Sequence, residues 1–281
     1  MINEQTNTRT ATVTYSRRQG VGFIAYARSC VKKMQDEGRY DAAHKLDSYI
    51  GRFTAYLGRN EIAFKDFDSR LIRNYHRWLQ DKALGRNSIS LYIRNLKRVY
   101  RMAVDDGTAK DNHPFEGVDV SYHVKKEKNG LTLDEVRRLK ELDLDGRSKA
   151  VNFARDMFLF SVYARGMTAD DMFHLTRDNI SGGILVYTSK ITGSRETIVW
   201  EKLLRDIADR YALPGTPFLF PVITSADPRE QWRQYCGALH NINRNLKSVA
   251  RLLGLSFPLN MMVAHHTWNS MTKGLTIGNL L

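Results

Sequence analysis

The chain has 281 residues, enough for two domains of ordinary size. Its hydrophobic content of 42% supports normal cores. No apolar run approaches the roughly 18 residues that span a bilayer, and the N-terminus lacks the apolar stretch of a secretory leader. The formal net charge of +13 points to a polyanionic partner, most commonly nucleic acid. A membrane surface fits less well, because no short helix pairs a basic face with exposed aromatic and leucine side chains.

Residues 1–16 are polar and Thr-rich, with alternation through Thr10–Tyr15, and read as a flexible arm or a short edge strand. Four amphipathic helices follow, each with apolar residues at the 3, 4, 7 spacing of one buried face. The first covers Gly22–Met34, with Phe23, Ile24, Ala27 and Val31 inward. The second covers Asp41–Leu57 and buries Leu46, Tyr49, Ile50 and Phe53. The third starts at an Asp68 cap, uses Leu71, Ile72, Tyr75, Trp78 and Leu79, and stops at Gly85. The fourth runs from Ser88 to about Val104. Its apolar side is Ile89, Tyr92, Ile93, Leu96, Val99, Tyr100 and Ala103. The other side carries Arg94, Lys97, Arg98 and Arg101, with no acid before Asp105 and Asp106, and Arg86 lies just upstream. A solvated helix face usually mixes signs, so this face, with Arg86, reads as a phosphate-contacting surface.

Asn112-His113-Pro114 breaks the helical pattern, and a charged stretch with Lys125 and Lys126 ends at Gly130. The spacing therefore divides the chain into an arm (1–16), a first domain (17–117), a linker (118–130) and a second domain (131–281). Up to Gly130 there are 24 Lys and Arg against 15 Asp and Glu, a net of +9; beyond it, 19 against 15, a net of +4. The first part, linker included, is the stronger polyanion binder, and Lys125 and Lys126 join its expected contacts.

Thr132 and Glu135 form a capping box that opens the second domain, and the helix it starts carries Val136, Leu139 and Leu142. An apolar helix spans 151–164 and ends at Arg165-Gly166-Met167. A short helix capped by Thr168 comes next. Ile184–Tyr187 and Thr197–Trp200 are β-branched and aromatic runs around a Thr192-Gly193-Ser194 turn, which reads as a hairpin. Helices at about 201–211, 229–253 and 259–273 complete the domain. The fold class is mainly α, with one small β-hairpin in the second domain. Cys30 and Cys236 lack metal-ligand spacing and read as buried thiols of a reducing cytoplasm. No glycine-rich phosphate loop, metal motif or cofactor motif is present.

The Arg165-Gly166-Met167 junction resembles the first catalytic box of the tyrosine recombinases, the phage integrase family, in the version carried by Bacteroides-type mobile elements. Asn87–Lys97 resembles the last helix of the family's SAM-like core-binding domain, and Asn241–Leu255 with Pro258–Met261 resembles its approach to the second box. The resemblance implies duplex DNA as partner, no metal, and strand exchange through a 3′-phosphotyrosyl bond. Two arginines and a His or Trp would neutralise the pentacoordinate phosphate, and a hairpin lysine would protonate the leaving 5′ oxygen.

Arg165 matches the first arginine. Lys190 is the hairpin lysine, but the usual Lys-Thr-Gly reads Lys190-Ile191-Thr192-Gly193 here. One residue reverses the facing direction in a hairpin, and a bulge is one device that restores it. In the second box Met262 stands at the first position, His265 replaces the second arginine, and His266 matches the trailing histidine. The last tyrosine, Tyr235, precedes that box and matches no nucleophile. The resemblance thus implies an integrase that does not cut DNA alone, as a truncated remnant, a fragment, or a chain completed in trans. The alternative is a degenerate integrase that only binds DNA; a helix-turn-helix regulator ranks below both. Full-length relatives assemble as homo-oligomers on DNA.

Overall fold

The computed structural model describes residues 21–118 and 128–272, in two compact units that divide after Lys125. The arm expected over 1–16, most of the linker, and the expected contacts Lys125 and Lys126 lie outside the described residues.

The first unit is built from α1 (Phe23–Asp36), α2 (Tyr40–Leu57), α3 (Ser69–Asp81) and α4 (Arg86–Asp105). Each buries the face its periodicity picks out, and the four faces meet in one core. Phe53 lies at the centre, with ring centroids 5.9 Å from Phe23, 5.6 Å from Phe67 and 4.9 Å from Tyr75. Asp68 caps α3 by accepting from the Leu71 amide at 2.7 Å, as its spacing predicts. The N-terminus of α1 is capped from a distance: the Glu61 carboxylate accepts from the amides of Ile24 at 2.8 Å and Ala25 at 2.9 Å.

Two boundary expectations fail. Gly85 does not stop α3, because the chain leaves that helix through Ala83 in a left-handed conformation. Gly85 instead precedes α4 as its N-cap, its carbonyl accepting from the Ile89 amide at 3.1 Å, so α4 starts two residues earlier than expected. Tyr92 is half-buried rather than core, packed edge-on against Tyr49 at 5.1 Å and under the Arg52 guanidinium at 5.7 Å.

The second unit contains α5 (Leu133–Glu141), α6 (Lys149–Tyr163), α7 (Ala169–Phe173), β1 (Ile180–Ser181), β2 (Ile184–Thr188), β3 (Arg195–Val199), α8 (Lys202–Arg210), α9 (Pro228–Leu252) and α10 (Met261–Met271). The Thr132–Glu135 capping box opens α5 as read from sequence. Helix α6 is apolar nearly all round, and α5, α8, α9 and α10 pack against it. Its one deeply buried charge, Asp156, accepts from Arg155 Nε at 2.9 Å, from the Tyr211 hydroxyl at 2.8 Å, and from Arg210. Burial and the Asp156 charge together push the Tyr211 hydroxyl's pKa up.

The sheet is antiparallel in the order β1-β2-β3, so the expected hairpin gains a short third strand. Leu185 pairs with Ile198 on the buried face, and Ile184 with Val199 on the exposed one. Trp200 falls outside β3, and the connection is the six residues Ser189–Ser194 rather than a three-residue turn. Cys30 is buried, but Cys236 is only half-buried on α9, because its helix face is not the one turned to the core.

Candidate functional site

Arg165 sits where a helix ends. The Arg165 amide bonds to the Val162 carbonyl at 3.2 Å, and the Gly166 amide reaches back to the Ser161 carbonyl at 2.8 Å. These two bonds are the Schellman closure of α6, with Arg165 at the left-handed position that glycine usually fills. Its φ is +57°. A side chain there is strained, by about 1–2 kcal/mol for an L-residue. The Ser161 hydroxyl, buried, donates to the Met167 carbonyl at 2.6 Å and fixes the turn from inside. The Arg165 side chain is exposed and has no hydrogen bond or ion pair among the described residues. A strained, rigid backbone thus aims five guanidinium donors at solvent.

Helix α10 holds the other side of this turn. Gly166 has φ +75°, and a Cβ there would lie 3.0 Å from the His265 carbonyl oxygen and 3.1 Å from Trp268 Cβ. His265 Nδ1 lies 2.6 Å from the Gly166 carbonyl. That oxygen can only accept, so Nδ1 carries the proton. Nε2 then faces the Asn269 amide nitrogen at 3.3 Å, as acceptor. His265 is therefore committed to bracing the Arg165 turn. His266 lies beside it, with ring centroids 5.4 Å apart. Burial, then the neighbouring His265 and Lys128, hold the His266 imidazole's pKa below the ordinary histidine value.

Lys190 lies beyond the last ladder pair of the hairpin, Thr188–Arg195, so strand alternation does not set its direction. The two adjacent carboxylates of α7 set it instead. Asp171, buried, accepts from the Lys190 amide at 2.9 Å while its other oxygen accepts from the Thr168 hydroxyl at 2.8 Å. Asp170 accepts from the Lys190 ammonium at 2.8 Å. Burial alone would push the Asp170 carboxyl up, but hydrogen bonds from His174 and Lys190 outweigh it and leave it below the usual carboxylate range. These two carboxylates, rather than a strand bulge, aim this lysine.

In the first unit, Arg94, Arg98 and Arg101 are exposed along one stripe of α4, with Lys97 half-buried at its edge and Arg86 exposed at the helix start. Arg94 Nε makes one long contact to the Ser90 carbonyl, 3.4 Å, within its own helix. No ion pair involves Lys97, Arg98 or Arg101 among the described residues. Leu91 and Met102 are exposed on the same side.

Residues 22–123 match the family model of the phage integrase SAM-like domain. By structure, the chain is similar to a lambda integrase tetramer bound to a Holliday junction, with a TM-score of 0.63 at 15% identity over 93% of this chain and 76% of that one. It is also similar to the Tn1549 transposon integrase in complex with circular intermediate DNA, with a TM-score of 0.56 at 13% identity over 93% of this chain and 90% of that one. Residues 22–123 form a phage integrase SAM-like domain, in a chain whose fold is similar to that of the lambda and Tn1549 integrases. By sequence, 136 residues are 28% identical to AMP phosphorylase of Methanococcus aeolicus; they make up 47% of this chain and about a fifth of that protein's length, 22%.

Within that fold, the residues singled out by sequence fall into two groups. In the second unit, His265 is bonded to the Arg165 turn, His266 lies beside it with its ring tilted, and Lys190 is bonded to the helix that follows the turn. In the SAM-like domain the α4 cations share one stripe. Sequence reasoning missed Asp170, His174 and Asn269 as partners of these groups. The tandem Asp170-Asp171 was visible, but nothing local tied it to a lysine 19 and 20 residues on. Among the described residues, no group of His, Cys, Asp and Glu could hold a metal ion, and no helix is long and apolar enough to cross a membrane.

Proposed function

We propose that this chain is a DNA-binding integrase of the tyrosine recombinase type, which grips duplex DNA and acts in site-specific integration and recombination. The observation that carries the reading is Arg165: a cation without a protein partner among the described residues, on a backbone strained to present it. Its guanidinium would give a phosphate a bidentate, permanently charged contact. Lys190 would deliver a proton to the leaving 5′ oxygen, and the α4 stripe of the SAM-like domain would track the phosphate backbone. The chemistry needs a tyrosine to attack phosphorus and store the bond energy as a phosphotyrosyl link. Assembly into oligomers on DNA, as in the lambda integrase tetramer, belongs to the same proposal.

A second reading, a DNA-binding protein that does not cut, is favoured by His265. In the position the resemblance assigns to an arginine, this ring has its Nδ1–H on the Gly166 carbonyl and its other nitrogen facing Asn269. It cannot give a phosphate the bidentate, permanently charged contact of an arginine. The test incubates the purified chain with nicked duplex DNA and looks for a covalent adduct stable to denaturant, with binding to intact duplex followed in parallel. An adduct supports the recombinase and overturns both the second reading and the expectation that the chain does not cut alone, whereas binding without adduct agrees with the second reading and with a recombinase whose tyrosine comes from elsewhere. No binding at low salt refutes both.

A further inference from the structure

The hairpin lysine departs by one residue from the spacing that the family resemblance predicts, yet it is held firmly. Its backbone amide is bonded to Asp171 at 2.9 Å and its ammonium to Asp170 at 2.8 Å, so two successive residues of α7 take hold of both ends of Lys190. Asp170 is itself held. His174, one turn on, has Nδ1 2.6 Å from the Asp170 carbonyl oxygen and 3.2 Å from its carboxylate, and 3.0 Å from the Lys190 ammonium. The carbonyl can only accept, so Nδ1 carries the proton and shares it between the Asp170 carbonyl and carboxylate, and its approach to the Lys190 ammonium is a contact between two donors rather than a hydrogen bond. The imidazole lies edge-on to Phe218 at 6.3 Å and against Tyr235 at 6.2 Å, and these two rings flank it. Asp171 is tied to the Thr168 cap of α7, three residues after Arg165.

We propose that Asp170 and His174 are positioning residues for Lys190, with His174 fixing the carboxylate and the carboxylate fixing the ammonium. This rests on the reading of Lys190 as the proton donor of the recombinase. The arrangement supplies what strand geometry does not: with an extra residue between lysine and the Thr-Gly of the turn, the ladder no longer determines where the ammonium points. An ion pair to the helix next to the Arg165 turn determines it instead. In the absence of DNA the pair also keeps the lysine from wandering through its rotamers, and an incoming phosphate would compete with Asp170 for it.

The test measures modification of Lys190 by an amine-reactive reagent, peptide by peptide, in the full chain without DNA. Asp170→Asn is expected to raise Lys190 modification about threefold, the size suited to a half-exposed ion pair. Asp170→Glu, which keeps the charge, should bring it back near the parent value. Lys202, in an exposed pair with Asp206 on α8, should stay unchanged in both variants and reports any general loosening of the unit. His174→Gln, which leaves the carboxylate in place but unbraced, should give a smaller rise and serves if Asp170→Asn does not fold. Unchanged Lys190 modification in Asp170→Asn, or in His174→Gln where that variant stands in, overturns the proposal, as does failure of Asp170→Glu to restore it. A second arm repeats the parent measurement with duplex DNA. Protection of Lys190 supports its role at the phosphate. No protection refutes that role, while the DNA-free comparison still decides the positioning by itself.

Discussion

Replacing Arg165 by glycine separates what this residue does for the fold from what it does for DNA. Arg165 holds the left-handed position of the Schellman closure with φ +57°. An L-side chain there costs about 1–2 kcal/mol relative to its preferred conformations. Glycine removes that strain, but it also frees the unfolded chain, which takes back about 0.4–1 kcal/mol. The closure itself, Arg165 N–H to Val162 and Gly166 N–H to Ser161, uses backbone only and survives. The side chain leaves no hydrogen bond behind among the described residues. Arg165→Gly should therefore be as stable as the parent or more so, by up to about 1.5 kcal/mol, which for a unit of this size is a rise of at most roughly 3–6 °C in melting temperature. Duplex DNA binding should weaken by about tenfold or more, as expected when a charged hydrogen-bonded contact worth roughly 1.5–3 kcal/mol is removed. Thermal unfolding and a fluorescence-anisotropy titration read the two effects on one preparation. A variant that melts well below the parent would show that the guanidinium supports the fold, and unchanged DNA affinity would remove Arg165 from the phosphate site.

Four further outcomes follow from the same geometry. Gly166→Ala should destabilise the second unit by about 2–3 kcal/mol, combining left-handed strain with a clash on α10, whereas Gly182→Ala, left-handed but open to solvent, should cost only about 1 kcal/mol; equal melting temperatures for the two would refute the close approach. Replacing Arg94, Lys97 and Arg101 together by alanine should lower the slope of log affinity against log salt by about 0.9 for each phosphate that α4 no longer neutralises, and an unchanged slope removes α4 from the interface. The Tyr75 hydroxyl is buried without a hydrogen-bond partner among the described residues, and burial pushes its pKa up, so Tyr75→Phe should stabilise the SAM-like domain by about 1 kcal/mol in urea unfolding; a loss would mean that the hydroxyl is satisfied. His266 has its folded-state pKa lowered by burial, so below about pH 6.5 the unfolded chain binds the proton better. Stability is then present above that pH and falls as pH drops from 6.5 through the lowered folded value. His266→Gln should flatten the difference in urea midpoint between pH 7 and pH 5, and an identical pH dependence in the variant refutes this.

Much of the architecture was legible because its signals are short-range. Apolar residues at helical spacing marked the helix faces of the first unit. Asp68, Thr132 and Thr168 reach backbone amides three residues on, a contact that needs only the first turn of the helix they begin. Arg165 stood out because a polar junction ends an apolar run, and the cationic side of α4 because its charges share one sign. Where local signals compete, reading failed: Gly85 suits a helix stop as well as a cap, and the two residues of β1 are too few to carry a period.

What only the tertiary structure decided is where side chains from distant segments end up. The cap of α1 comes from Glu61, 37 residues from the amide it serves. His265 braces a carbonyl 99 residues upstream, and the Leu131 amide finds the Thr267 hydroxyl across 136 residues. Lys190 owes its direction to a carboxylate 20 residues earlier, not to the strand it follows. Periodicity fixes which face of an element is buried, because burial is a property of that element. The aim of a polar side chain depends on which partner the packed core brings within about 3 Å of it, and no local pattern encodes that distance.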